Sequence, residues 1–367
     1  SFKITDMKRF FSIAAVAILA AMAFVPQVSI ACTGITLHSA DGACVLARTI
    51  EWGGSDLNSQ YVIVPRGYVQ QSYTPEGVNG MEFTALYGYV GFAVEQKEFV
   101  AEGLNEAGLS AGLFYFPAYG KYKEYDTLRR AVSIADLQLV PMILGCCKNV
   151  DEVIEKVAGV DVVATDPRAS TVHWRFADTS GRQIVLEIID GRARFYENKL
   201  GVLTNSPSFE WHLTNLNNYV NLYAGGAEAW NMGAARLAAF GAGSGMLGLP
   251  GDVTPPSRFV RAAFYQVSAP VPRQALDAVL QAFQIMNNFD IPVGVEFKDG
   301  KVPADIPSAT QWTSVTDLTN NIIYYRTMYN SAIRSIDLKT IDFSRTKYKA
   351  VPMDEIRQQP IIAIKIK

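Results

Sequence analysis

The chain has 367 residues with 33 basic and 35 acidic side chains, a balance that excludes the basic footprint of a nucleic-acid binder. Four cysteines do not make a disulfide scaffold in a chain of this size. Three histidines without an HExxH or paired-His spacing leave no zinc or iron motif, so neither metal nor cofactor is expected.

Residues 1–6 precede Met7, which reads as the initiator. Lys8-Arg9, the 16-residue apolar run Phe10 to Val25, and small residues at Ser29 and Ala31 then follow. Positive charge, a short apolar core and a small-residue site make a secretory signal peptide over residues 1–31, with cleavage after Ala31. The run is shorter than the roughly 20 residues of a membrane span, and no second apolar segment is long enough. The expected product is secreted across the inner membrane, into a periplasmic space, with no membrane span after processing.

Cleavage there makes Cys32 the first residue. Its thiol and a free α-amine, with pKa values near 8.5 and 7.7–8.0 in model peptides, then share one residue. The amine can take the thiol proton and return it to a leaving group, so no histidine is required. A lipid-anchored binding protein is the alternative, since a blocked amine cannot act as base. A papain-like protease would need a Cys-plus-His signature, which is missing.

Cys32 to Leu37 reads as a strand, Asp41-Gly42 as a turn and Cys44 to Trp52 as the returning strand. Tyr61 to Pro65, Leu86 to Glu95 and Leu109 to Phe116 read as further strands, with a turn at Asn105 to Gly108. Leu128 to Cys147 has helical spacing, split by Pro141. Asn149 or Asp151 caps a helix over Glu152 to Ala158. Hairpin strands follow at Thr171 to Ala177, Gln183 to Asp190 and Ala193 to Tyr196, then a short strand at Gly201 to Thr204. Helical patterns return at Ala227 to Phe240, at Ser257 to Val267 with Ser257 as cap, and at Pro272 to Met286. Ile322 to Met328 and Ala332 to Asp337 close the chain as strands. Strands cluster instead of alternating with helices, which indicates antiparallel sheets with segregated helices, an α+β fold in one domain over 32–367.

Arg48 lies in the strand returning beside Cys32, where a cation favours a thiolate. Glu51 stands where a carboxylate can orient the α-amine. On spacing alone, a surface ion pair is the favoured reading of the two. Asn205 ends a strand before a proline-bounded turn, a place for an oxyanion donor or for plain turn formation. Arg258 falls at a helix start, where the dipole disfavours a cation, which suggests a functional reason for it.

The stretches "CTGITLHSADGACVLARTIEW", "GVLTNSPSFEWHLTNLNNY" and "GLPGDVTPPSRFVRAAF" resemble the choloylglycine hydrolase family, which holds bile salt hydrolases and penicillin V acylases among the N-terminal-nucleophile hydrolases. The resemblance runs from Cys32 to near the end of the chain. It implies a four-layer αββα sandwich of two antiparallel sheets, commonly a homotetramer. It implies Cys32 as nucleophile, Arg48 and Arg258 close to the thiol, and Asn205 as one oxyanion donor. The backbone N–H of Phe114 would be the second donor. The family usually has Asp where Glu51 stands. At the Phe114 place, bile salt hydrolases often carry Asn and penicillin acylases often Tyr. The implied substrate is a small acyl amide, a glycine- or taurine-conjugated bile salt, with penicillin V or an N-acyl homoserine lactone as alternatives. Such a substrate needs an apolar pocket, for which Ile50, Trp52, Phe83 and Phe114 are the candidates.

Overall fold

The computed structural model describes residues 30–165, 170–297 and 302–366, so the predicted leader up to residue 29 lies outside the described residues. The sheet strands are β1 (Ile30–His38), β2 (Cys44–Trp52), β3 (Gln60–Val64), β4 (Tyr89–Ala93), β5 (Val100–Asn105), β6 (Ser110–Tyr115), β7 (Val172–Ala177), β8 (Gln183–Ile189), β9 (Arg192–Glu197), β10 (Thr310–Asp317), β11 (Ile322–Thr327), β12 (Arg334–Asp337) and β13 (Lys349–Pro352). The helices are α1 (Leu139–Cys146), α2 (Val150–Ala158), α3 (Phe209–Asn215), α4 (Pro255–Ser268) and α5 (Ala275–Met286).

Two antiparallel sheets form, one in the order β1-β2-β10-β11-β12 and one in the order β9-β8-β7-β6-β5-β4-β3-β13. Helices α4 and α5 pack on the first, α1 and α2 on the second, and β1 meets β6 between them. The result is helix, sheet, sheet, helix, the four-layer sandwich expected. Each sheet is covered on both faces, so its inner strands lack a polar face. Every residue of β10 is buried, and all of β2 except Trp52. No helix among the described residues is long and apolar enough to cross a membrane.

The first hairpin forms in the predicted register, with Cys32 opposite Ile50 and Gly34 opposite Arg48. Helix α2 is capped by Asn149, whose Oδ1 accepts from the Glu152 N–H at 2.9 Å.

Several expectations are corrected. Before α1 the stretch is two 3₁₀ turns, Thr127–Val132 and Asp136–Gln138, either side of a short strand, not a helix. Pro141 sits in the first turn of α1, where its missing N–H costs nothing. Ala227 to Phe240 contains an exposed hairpin of Trp230–Met232 with Ala235–Leu237. Its apolar residues meet no core there, and a helix of that length depends on packing its apolar face. Helix α4 starts two residues early with Thr254 at its cap and prolines in its first turn, so Ser257 lies inside it. Strands β5 and β10, and the hairpin of Val69–Thr74 with Gly77–Thr84, were not anticipated.

Candidate active site

Strand alternation sends Cys32, Gly34, Arg48 and Ile50 to the face of the first sheet that meets the second. The Arg48 Nη2 donates to Cys32 Sγ at 3.0 Å. Arg48 is itself wholly buried and held on every side. Its Nη1 reaches Leu113 O at 2.7 Å and Ala101 O at 3.2 Å, and its Nε reaches Thr49 O at 3.3 Å. Its guanidinium lies over the ring of Phe114 at 4.3 Å and that of Trp312 at 5.3 Å. Desolvated contacts of this kind contribute about 2 kcal/mol. A surface ion pair of Arg48 with Glu51 is therefore not what forms.

Arg258 also lies near the thiol, which its charge favours in the ionised form, and it clamps the backbone there. It is buried in α4, with Nη1 on Cys32 O at 2.6 Å and on Thr33 Oγ1 at 2.8 Å, and Nη2 on Asn205 Oδ1 at 2.6 Å. The clamp fixes the backbone of Cys32 and the orientation of the Asn205 amide. With Oδ1 committed to Arg258 and to the Cys32 N–H (2.9 Å), Nδ2 must face the other way, and it donates to Tyr115 O at 2.8 Å. An amide carries two hydrogens, so one remains for a ligand.

Phe114 is corrected as the backbone donor. The N–H that bonds Cys32 Sγ is that of Tyr115. In β6, Leu113 and Tyr115 turn their polar groups toward Arg48, Cys32 and Asn205, while Phe114 pairs with His173 of β7. Successive N–H groups point to opposite edges of a strand, so a one-residue error sends the donor away from the thiol. The Phe114 side chain forms the floor beneath Arg48 instead of a pocket wall. Phe83 is corrected too. It lies in the hairpin that packs with α1 outside the second sheet, not between the sheets. Ile50 is buried opposite Cys32, and Trp52 lies two residues on, half-buried, with Nε1 on Ser55 Oγ at 3.0 Å.

Glu51 points to the other face, beside Ala31 in register. It is fully buried, its Oε2 has no hydrogen-bond partner, and Oε1 is 3.5 Å from Thr310 Oγ1. Burial pushes its carboxyl up to about 8, against the pull of Arg258 and Arg48. A carboxyl raised in the folded state favours folding at low pH and loses that contribution as pH rises toward its folded pKa. With Ala31 still attached, thermal stability is expected to decline from about pH 4.5 to about pH 8. Glu51→Gln should flatten that slope, as differential scanning fluorimetry across the range would read.

Burial also raises the Cys32 thiol, opposed first by Arg48. None of the histidines bonds the sulfur. His38 is exposed, His173 lies between Glu187 Oε1 (3.2 Å) and Thr204 O (3.1 Å), and His212 Nε2 bonds Asn205 O at 2.8 Å. Burial lowers His212 to about 4, so it is a neutral N–H donor holding the Asn205 backbone. His212→Ala should lower kcat about tenfold, the worth of one net hydrogen bond, without changing the shape of the pH–rate profile. All four cysteines are free.

A buried thiol beside an arginine, a backbone N–H and a clamped amide can attack a carbonyl and hold the oxygen that becomes negative. Residues 32–350 match the linear amide C–N hydrolases of the choloylglycine hydrolase family. The chain belongs to that family.

Within the choloylglycine hydrolases, it is 31% identical to the bile salt hydrolase/transferase of Clostridium perfringens over 316 residues, 84% of this chain and 92% of that protein. It is 25% identical to a penicillin V acylase of Pectobacterium atrosepticum over 96% of this chain and 92% of the acylase. A crystal structure of a mutant conjugated bile acid hydrolase from C. perfringens superposes with a TM-score of 0.79, at 29% identity, covering 91% of this chain and all of that one. Sequence reasoning missed Tyr115, His212 and Trp312. Only the period-two alternation of β6 carried a signal for the first of them.

Proposed function

We propose that this choloylglycine hydrolase deconjugates glycine- and taurine-conjugated bile salts, using Cys32 as a nucleophile set free at the N-terminus. The carrying observation is the Cys32 thiol at 3.0 Å from Arg48 with the Tyr115 N–H and the Asn205 amide beside it. The likeness to the C. perfringens bile salt hydrolase supports the substrate.

In this reaction the α-amine takes the Sγ proton and the thiolate attacks the amide carbonyl. Tyr115 N–H and the spare Asn205 Nδ2 hydrogen receive the oxyanion. Collapse expels glycine or taurine, protonated by the α-ammonium, and leaves a thioester that water hydrolyses. Ile50 and Trp52 flank the apolar acyl group.

While Ala31 is attached, Cys32 N is a peptide nitrogen with no basic lone pair. Ala31 itself packs with Ile291, Ala309 and Val253. A chain that keeps Ala31 or a tag ahead of Cys32 should therefore be inactive. Removal of residues 1–31 during export to the periplasm, and assembly as a homotetramer, belong to the same proposal.

One observation favours a second reading. The penicillin V acylase of P. atrosepticum aligns over 96% of this chain at 25% identity, which supports an acylase substrate. Processed protein should be incubated with glycocholate, taurocholate and penicillin V, and the released amine measured. Release of glycine or taurine carries the bile-salt reading. Release from penicillin V alone moves the substrate to the acylase branch.

A further inference from the structure

Between the sheets, Arg48 has a charged neighbour on its far side. Glu102 on β5 and Arg175 on β7 lie in one row across Gly112 of β6. Both side chains are 2% exposed, so the row is as dry as the thiol it adjoins. A Cβ on Gly112 would fall 2.1 Å from Glu102 Oε2, and one on Gly34 would fall 2.8 Å from Arg175 Nη1. Two glycines are thus needed to let these side chains lie flat between the sheets.

The Glu102 carboxylate is shared. Its Oε2 accepts from Arg48 Nη1 at 3.4 Å, and its Oε1 is 3.5 Å from Ser110 Oγ and 3.7 Å from Arg175 Nη2. Arg175 Nη1 donates to Ile35 O at 3.3 Å, while Nη2 makes no hydrogen bond. As scaffolding, this is poor: an apolar side chain would fill the place at less desolvation cost. In charge it is informative. Two guanidiniums face one carboxylate, leaving a surplus positive charge that an anion at Cys32 would neutralise.

We propose that Glu102 and Arg175 are positioning residues for the nucleophile: Arg175 offsets the charge of the Glu102 carboxylate that Arg48 hydrogen-bonds, so that a net positive charge remains for the Cys32 thiolate. Without Arg175, Glu102 would neutralise Arg48, and the thiolate would lose its partner. The other charged groups around the thiol are Glu51 on β2 and Arg258 on α4, with Glu296 acting on both. Arg175 also faces Cys44, behind which lie Asp178 and Asp317. None of these bridges Arg48 to Arg175.

The test is the pH dependence of Cys32 alkylation by iodoacetamide in the processed protein, read peptide by peptide by mass spectrometry. Fragment ions place the label on Cys32, distinguishing it from Cys44 in the same stretch up to Arg48 and from Cys146 and Cys147. In Arg175→Met, the midpoint for Cys32 should move up by about one pH unit. Adding Glu102→Gln should bring it back, and Arg175→Lys, which keeps the charge, should leave it near the parent value. If Arg175→Met does not fold, Glu102→Gln alone should move the midpoint down. A folded Arg175→Met that titrates like the parent, a double variant that does not recover, or an unmoved Glu102→Gln would overturn the proposal. It rests on Cys32 being the nucleophile, but not on the substrate, because turnover is not measured. A parent in which Cys32 is not the most reactive thiol would overturn both the nucleophile and this role.

Discussion

Replacing Cys32 by alanine should abolish amide hydrolysis while the protein stays folded. The loss should be complete because no other group can take its place. Among the described residues the Cys32 thiol is the one held between Arg48 and the Tyr115 N–H, and the remaining cysteines lie elsewhere. The fold should survive because alanine removes one buried sulfur from a strand whose pairing with β2 runs through nine residue pairs. The cavity left is small, worth about 1–2 kcal/mol at most. Assay of amine release beside circular dichroism would check both halves. Appreciable turnover in a folded Cys32→Ala protein would remove the nucleophile from the mechanism.

Asn205→Ala should lower kcat about 10²–10³-fold, the usual loss for one oxyanion donor. Asn205 also joins the Arg258 clamp to the Tyr115 strand, so its removal leaves Arg258 Nη2 without its acceptor. A stability loss of about 1–3 kcal/mol should accompany the kinetic one. The KM should change less than kcat, because the oxyanion forms after the substrate is bound. Steady-state kinetics with thermal unfolding would separate the two effects. An unchanged kcat would exclude the amide from the oxyanion site.

Local pattern made much of the molecule legible. The first hairpin could be read because an Asp-Gly turn joins two β-rich runs, and that alone puts Arg48 beside Cys32. Clustered strands gave the α+β class, and the three motifs led to the family. The reading failed where local pattern carries no direction. Strand β10 is Thr- and Ser-rich, and it is a strand because sheet neighbours and helices bury both its faces. Ala227 to Phe240 has helical spacing and contains an exposed hairpin, since periodicity without a partner face does not hold a helix.

By itself, then, the sequence determined which residue types are available: a cysteine opening the first hairpin, an arginine on the returning strand, and an amide before a turn. Only the tertiary structure decided their partners. Tyr115 instead of Phe114 faces the thiol because strand edges alternate. Arg258 grips Cys32 O and the Asn205 amide because α4 lies across the sheet. Glu102 and Arg175, 73 residues apart, meet Arg48 because two sheets close over two glycines. Contacts between sheets depend on strand order and close approach, and neither quantity is written in any local stretch of the chain.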